Sequence, residues 1–128
     1  MSDNRGCIAI VDDDAGIRKA LARLLRTSQF ETHAYGSAEE FLDSAARERH
    51  VCLILDIRLP GISGLELSRR LEEQNTHLPT IFITAQEKNW ESRQTVNLEC
   101  GVCLFKPFPA AALLGAIESA LSRASRAT

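Results

Sequence analysis

Residues 51–56 have the sequence VCLILD, in which five consecutive apolar residues are followed by an aspartate. An unbroken apolar run of this length is typical of a strand that is buried on both faces, as in a parallel sheet covered by helices on both sides. The run therefore predicts a central strand, and it places Asp56 directly after the apolar part of that strand.

Short apolar runs alternate with longer segments of helical periodicity along the rest of the chain. Further strands are predicted at 7–11, 30–35, 80–83 and 102–105. Helical segments follow the strands at 17–25, 37–45, 65–73, 86–99 and 113–121, and Ser37 with Glu40 forms a candidate capping box at the start of the second. Strict alternation of five strands and five helices predicts an α/β fold with a doubly wound, parallel, five-stranded sheet.

The composition excludes several classes of protein. The 128 residues are 45% hydrophobic and 25% charged with a formal net charge of −2, as in an ordinary globular domain rather than a disordered or collagen-like chain. No apolar run is long enough to cross a membrane, and no basic tract favours nucleic acid.

We expect one domain over 1–128, with its core at about 5–123 and a basic tail or the start of a linker after it. Four cysteines and no apolar leader favour the cytoplasm.

Polar side chains follow the predicted strands, where they would meet in one crevice at the carboxyl edge of the sheet. They are Asp12, Asp13 and Asp14 after the first strand, Asp56 after the third, Thr84 at the fourth and Lys106 at the fifth. Converging carboxylates repel one another unless a cation offsets them, so the pattern predicts a divalent ion. Oxygen ligands suit Mg²⁺, with Mn²⁺ as a substitute. Asp14 is better explained as the N-cap of the following helix.

A magnesium ion held by one or two carboxylates usually also binds a phosphate, so we expect a phosphoryl group at this site. A carboxylate such as Asp56 could attack a phosphoryl donor while the metal and the Lys106 ammonium draw off negative charge. The Thr84 hydroxyl could then donate a hydrogen bond to a phosphoryl oxygen.

Four motifs in this order make the chain similar to the receiver domains of two-component response regulators, the CheY-like family. They are IVDDD at 10–14, LILDIRLPGISGLEL at 53–67, FITA at 82–85 and FKPF at 105–108. The resemblance covers nearly the whole chain. It implies the flavodoxin-like strand order 2-1-3-4-5 and a domain that is not a turnover enzyme.

The resemblance also implies a role for each matching residue. Asp56 would accept the phosphoryl group from a sensor histidine kinase. Asp13 would ligate Mg²⁺ directly and Asp12 mostly through water. Asp56 itself and the backbone carbonyl of Arg58 would be further ligands. Thr84 would be the switch hydroxyl. Lys106 would pair with the phosphoryl group.

One position departs from the family pattern. Cys103, three residues before Lys106, occupies the place where the family usually has the tyrosine or phenylalanine that moves inward on activation. The family's aromatic switch residue is therefore replaced by a cysteine in this chain. The resemblance implies an output through a partner protein, a C-terminal DNA-binding domain or a homodimer, and the sequence does not distinguish among them.

Two other functions stay open on the sequence. The first is a phosphohydrolase of the haloacid-dehalogenase type, with Asp12 as nucleophile and Asp14 as acid. The second is a scaffold that keeps the fold without the phosphorylation switch.

The cysteines and histidines do not form an obvious motif. Cys100 and Cys103 have C-x-x-C spacing, but they precede a strand rather than open a helix, which disfavours a redox or zinc function. Cys7 and Cys52 lie in apolar runs, as core residues do. The three histidines, His33, His50 and His77, are expected at the surface.

Overall fold

The computed structural model describes residues 5–45, 50–74, 78–85, 102–106 and 108–127. Five parallel strands form one sheet in the order β2-β1-β3-β4-β5, as the resemblance implied. The strands are β1 (Cys7–Val11), β2 (Glu31–Tyr35), β3 (Cys52–Asp56), β4 (Thr80–Ala85) and β5 (Val102–Lys106). The described helices are α1 (Ala15–Thr27), α2 (Ala38–Ala45), α3 (Gly64–Glu73) and α4 (Ala110–Ala127).

The two faces of the sheet bury separate apolar clusters, because successive residues of a strand point to opposite sides. One face packs β1, β3 and β4 against α1 and α4, through Ile8, Ile10, Leu21, Leu25, Ile54, Ile81, Leu113 and Ile117. The opposite face packs against α2 and α3, through Ala9, Val11, Phe41, Leu53, Leu55, Leu67, Leu71 and Phe82. All five residues of β3 are buried, which confirms that it is the central strand.

Two helices begin at the caps that the sequence predicts. Asp14 caps α1, since its Oδ1 accepts hydrogen bonds from the backbone N–H groups of Gly16 at 2.8 Å and Ile17 at 3.2 Å. Ahead of α2, Ser37 Oγ accepts from the backbone N–H of Glu40 at 3.1 Å. Glu40 Oε1 accepts from Gly36 N–H at 2.9 Å, one residue before the usual partner in a capping box.

Element boundaries differ from the predictions by a few residues. Strands β4 and β5 extend to Ala85 and Lys106, because ladder pairing between them continues beyond the apolar residues. The predicted helix at 86–99 lies outside the described residues. Within the part of the chain that is described, no helix has both the length and the apolarity needed to cross a bilayer.

Candidate functional site

Three carboxylates meet at the carboxyl edge of the sheet. Asp12, Asp13 and Asp56 each offer an oxygen, and these oxygens lie within 4.8 Å of one another. The strand register explains the approach. Val11 of β1 pairs with Leu55 of β3, so the next residues along the chain, Asp12 just after β1 and Asp56 at the end of β3, lie side by side. Neighbouring strands are about 4.8 Å apart, which sets the scale of this cluster.

Asp12 is the most enclosed member of the cluster and is 0% exposed. Its Oδ1 accepts a hydrogen bond from Asp14 N–H at 2.9 Å, and its own N–H donates to the carbonyl of Tyr35 at 3.1 Å. The guanidinium of Arg18 donates to the Asp12 carbonyl at 2.8 Å and so ties the strand end to the first turn of α1. Asp13, in contrast, is exposed and open to an ion arriving from solvent.

Asp56 is the last residue of β3 and is 5% exposed. Its Oδ1 accepts a hydrogen bond from the backbone N–H of Arg58 at 3.0 Å. Burial and the neighbouring charge of Asp12 raise the pKa of Asp56, and the Arg58 N–H together with Lys106 only partly opposes this rise. Positive charge from the protein alone therefore compensates the ionised form of Asp56 only in part.

Lys106 supplies a cation to the cluster. Its Nζ lies 3.0 Å from Asp12 Oδ2 and 3.5 Å from Asp56 Oδ2. Burial by itself would lower the pKa of Lys106, but the hydrogen bond to Asp12 and the two carboxylate charges outweigh it and raise the pKa. Lys106 ends β5, two strands and about 10 Å from β3, so only a long side chain brings a charge to Asp56.

Thr84 and Arg58 lie at the same edge of the sheet. Thr84 is buried in β4, one residue beyond the partner of Asp56 and one before the partner of Lys106. The side chain of Arg58 is exposed, and its backbone N–H already contacts Asp56. The predicted roles of the Thr84 hydroxyl and the Arg58 carbonyl stay predictions.

Gly64 is a positioning residue that the sequence analysis treated only as a loop glycine. A Cβ at this position would lie 2.2 Å from the Asp56 carbonyl oxygen, far inside contact distance. The N–H of Gly64 also donates to the Ile57 carbonyl at 2.9 Å. Only glycine lets α3 begin this close to β3 and hold the loop that carries Arg58.

Cys103 lies in β5, three residues before Lys106, among apolar side chains. It is half-buried and packs against the apolar cluster on the α2 and α3 face. Burial raises the pKa of its thiol to about 11, so the side chain stays protonated at neutral pH. Its predicted place in the switch stays a prediction.

The donor set fits a hard divalent cation. Each ligand atom in the cluster is a carboxylate oxygen, which Mg²⁺ and Mn²⁺ prefer to sulfur or imidazole. Lys106 alone cannot balance three carboxylates, because one positive charge faces three negative ones. A bound divalent ion would supply the missing charge and favour the ionised form of Asp56.

Comparisons with known proteins agree with this geometry. The family model described as response regulator receiver domain matches residues 8–118. Nodulation protein W of Bradyrhizobium diazoefficiens is 37% identical over 125 residues, which is 95% of this chain and 54% of the relative. The response regulator TodT of Pseudomonas putida is 36% identical over 124 residues, covering 97% of this chain and 55% of TodT. The chain thus spans about half the length of these curated relatives.

Solved structures give the same result. Full-length FixJ from B. japonicum superposes with a TM-score of 0.86 and 31% identity, over 97% of this chain and 61% of FixJ. The response regulator StyR superposes with a TM-score of 0.82 and 38% identity, over 94% of this chain and 61% of StyR. These matches give no support to the phosphohydrolase hypothesis.

Proposed function

Because this chain belongs to the response regulator receiver domain family, we propose that it accepts a phosphoryl group on Asp56 from a sensor histidine kinase. The observation that carries the proposal is the convergence of Asp12, Asp13 and Asp56 in one cluster, with the Lys106 ammonium against Asp12 and Asp56. A carboxylate with a structural role usually caps a helix or forms one ion pair. Three carboxylates gathered at the carboxyl edge of the sheet repel one another, and neither structural role explains why they are gathered there.

The transfer uses the two oxygens of Asp56 differently. One carboxylate oxygen forms a bond to phosphorus while the bond from phosphorus to the donor's leaving group breaks, and the leaving group departs with that electron pair. The Arg58 N–H holds Oδ1, and Lys106 lies on the Oδ2 side. These contacts fix the orientation of the carboxylate before the donor arrives.

Asp12, Asp13 and Asp56 are the residues that would hold Mg²⁺, with the Arg58 carbonyl as a further ligand. The ion would supply positive charge to the phosphoryl oxygens and to the carboxylates during transfer. Lys106 would pair with a phosphoryl oxygen of the product, and the Thr84 hydroxyl would donate to another. Movement of Thr84 toward the phosphoryl group would then alter the β4 end of the sheet, which is the basis of the proposed switch.

The domain would act as a phosphorylated intermediate rather than as a turnover enzyme. The relatives it matches are about twice its length, and FixJ carries the name transcriptional regulatory protein. We infer that the phosphorylated receiver controls a separate output, either a C-terminal DNA-binding domain, a partner protein or a second copy of the receiver. The domain itself would not contact nucleic acid.

Acetyl phosphate with Mg²⁺ tests the proposal directly, with intact-protein mass as the readout. We expect one phosphoryl group per chain in the wild type, none in Asp56→Asn and strongly reduced labelling in Asp13→Asn. Asp14→Asn is the matched control, because asparagine caps a helix as well as aspartate does and Asp14 neighbours the acidic pair. Labelling of Asp14→Asn at the wild-type level would show that Asp14 only caps α1 and that its charge is not needed for metal binding.

Two results would overturn the proposal. Persistent labelling of Asp56→Asn would remove Asp56 from its role. Steady phosphate release from a small phosphomonoester, lost in Asp12→Asn and retained in Asp56→Asn, would support the phosphohydrolase hypothesis instead.

A further inference from the structure

A second group of metal-ligating side chains lies away from the carboxylates, toward the amino ends of the strands. Cys7 is the first residue of β1, His33 is the middle residue of β2, and His50 comes shortly before β3. Cys7 pairs in register with Glu31, and side chains alternate along a strand, so His33 faces the same side of the sheet as Cys7. The fold therefore brings together three residues that are 17 or more positions apart in the chain.

The distances are short enough for one metal ion to reach all three residues. Cys7, His33 and His50 each offer one ligand atom, and these atoms lie within 4.8 Å of one another. The Sγ of Cys7 is 3.3 Å from Nδ1 of His33. Two ligands at tetrahedral angles, with a zinc–sulfur distance of ~2.3 Å and a zinc–nitrogen distance of ~2.1 Å, are about 3.6 Å apart. Small side-chain adjustments would bring all three atoms onto one ion.

Aromatic packing holds the two imidazoles in place. The rings of His33 and His50 meet edge to face with centroids 5.6 Å apart. His50 also packs against Phe41 of α2 at 5.8 Å and Tyr35 of β2 at 6.3 Å. All three candidate ligands are half-buried, whereas His33 and His50 were expected at the surface. The third histidine, His77, lies outside the described residues. The group is partly shielded by apolar side chains and still open to an ion from solvent.

We propose that Cys7, His33 and His50 form a binding site for Zn²⁺ or a similar borderline transition ion, with water as the fourth ligand. One thiolate and two imidazoles are a donor set that zinc accepts and that Mg²⁺ does not favour. The site is separate from the carboxylate cluster, whose ligands are all oxygens at the opposite edge of the sheet. A bound ion would connect β1, the edge strand β2 and the segment before β3.

Cobalt is the probe for this site, because a Co²⁺–thiolate bond gives an intense near-ultraviolet charge-transfer band that oxygen ligands do not give. The untagged full chain is reduced, supplied with excess Mg²⁺ to fill the carboxylate cluster, and titrated with Co²⁺. We expect a thiolate band that saturates at one ion per chain and disappears when Zn²⁺ is added. We also expect Zn²⁺ to raise the melting temperature of the wild type.

The variants distinguish this site from the C-x-x-C pair. We expect Cys7→Ser to lose the charge-transfer band, and His33→Gln and His50→Gln to weaken Co²⁺ binding by roughly tenfold or more. Cys103→Ala is the control, since it removes a half-buried thiol elsewhere and should keep the band. Circular dichroism checks that each variant is folded, and the two histidine variants decide the matter if Cys7→Ser does not fold.

Absence of a thiolate band in the folded wild type would overturn the proposal. So would a band that survives in Cys7→Ser, His33→Gln and His50→Gln and is lost in Cys103→Ala, because the ion would then lie on the C-x-x-C pair.

Discussion

Replacing Lys106 by methionine tests whether the carboxylate cluster depends on this cation. Methionine keeps an unbranched side chain of similar length and removes the charge. Without metal, Asp12 and Asp56 then face each other with no cation between them. We expect Lys106→Met to be clearly less stable than the wild type, and we expect the loss to shrink when Mg²⁺ is bound.

The size of the effect follows from the two distances. With an effective dielectric constant of about 20, unit charges separated by 3.0 Å and by 3.5 Å attract by about 5.5 and about 4.7 kcal/mol. Desolvation of the ammonium offsets much of this gross attraction. A fully buried ion pair that loses one partner typically costs about 3–5 kcal/mol. Because the Lys106 side chain is 21% exposed, we expect a loss of about 2–4 kcal/mol.

Urea unfolding with and without saturating Mg²⁺ measures this loss as a change in the free energy of unfolding. Lys19→Met is the matched control, because Lys19 is exposed on α1 and its loss should change stability by less than about 0.5 kcal/mol. The double variant Lys106→Met with Asp56→Asn should recover part of the loss, because one of the uncompensated carboxylates is gone.

The reasoning would be refuted if metal-free Lys106→Met were as stable as the wild type. Lys106→Met can also be compared in the two backgrounds. If it lowers the free energy of unfolding as much in Asp56→Asn as in the wild type, Lys106 and Asp56 are not coupled.

Three further predictions concern neighbouring residues. Because the pKa of Asp56 is raised, the contribution of Asp56 to the stability of the metal-free protein falls as pH rises from the ordinary value of 3.8 through the folded pKa. Urea midpoints across that range should show this component in the wild type and not in Asp56→Asn. Gly64→Ala should lower the free energy of unfolding by about 2 kcal/mol or more and should slow labelling by acetyl phosphate, because its Cβ would lie 2.2 Å from the Asp56 carbonyl oxygen. Wild-type stability together with a wild-type labelling rate would contradict the positioning role of Gly64. In NMR spectra, beryllofluoride with Mg²⁺ should shift the amide resonances near Thr84, and the absence of a shift would support the scaffold hypothesis. If Cys103→Tyr leaves those shifts unchanged, position 103 has no part in the switch.

Most of the fold was predictable because its signals are local. The apolar run before Asp56 predicts a doubly buried strand whatever its neighbours are, and β3 is indeed buried at all five positions. The start of α1 after Asp14 was equally predictable, since an N-cap depends on hydrogen bonds to the next few residues. The strand order came from the family resemblance rather than from periodicity, because local patterns do not say which strands are neighbours.

Part of the candidate site was predictable for the same reason. Asp12, Asp13, Asp56 and Lys106 were identified because they follow predicted strands, and parallel strands end at one edge of a sheet. The role of Gly64 was missed, because a close approach between α3 and the backbone of β3 has no signature in composition. His33 and His50 were expected at the surface and are half-buried, since local sequence does not show that their rings meet each other and that Phe41 packs on His50.

The amino-acid sequence alone therefore established the alternating strands and helices, the helix caps and the residue types at the strand ends. Folding established the distances: Lys106 reaches Asp12 across 94 positions of the chain, and Cys7 meets His33 through the pairing of β1 with β2. Charge interactions and metal coordination depend on separations of a few ångströms, and neither can be evaluated before the strands are placed side by side.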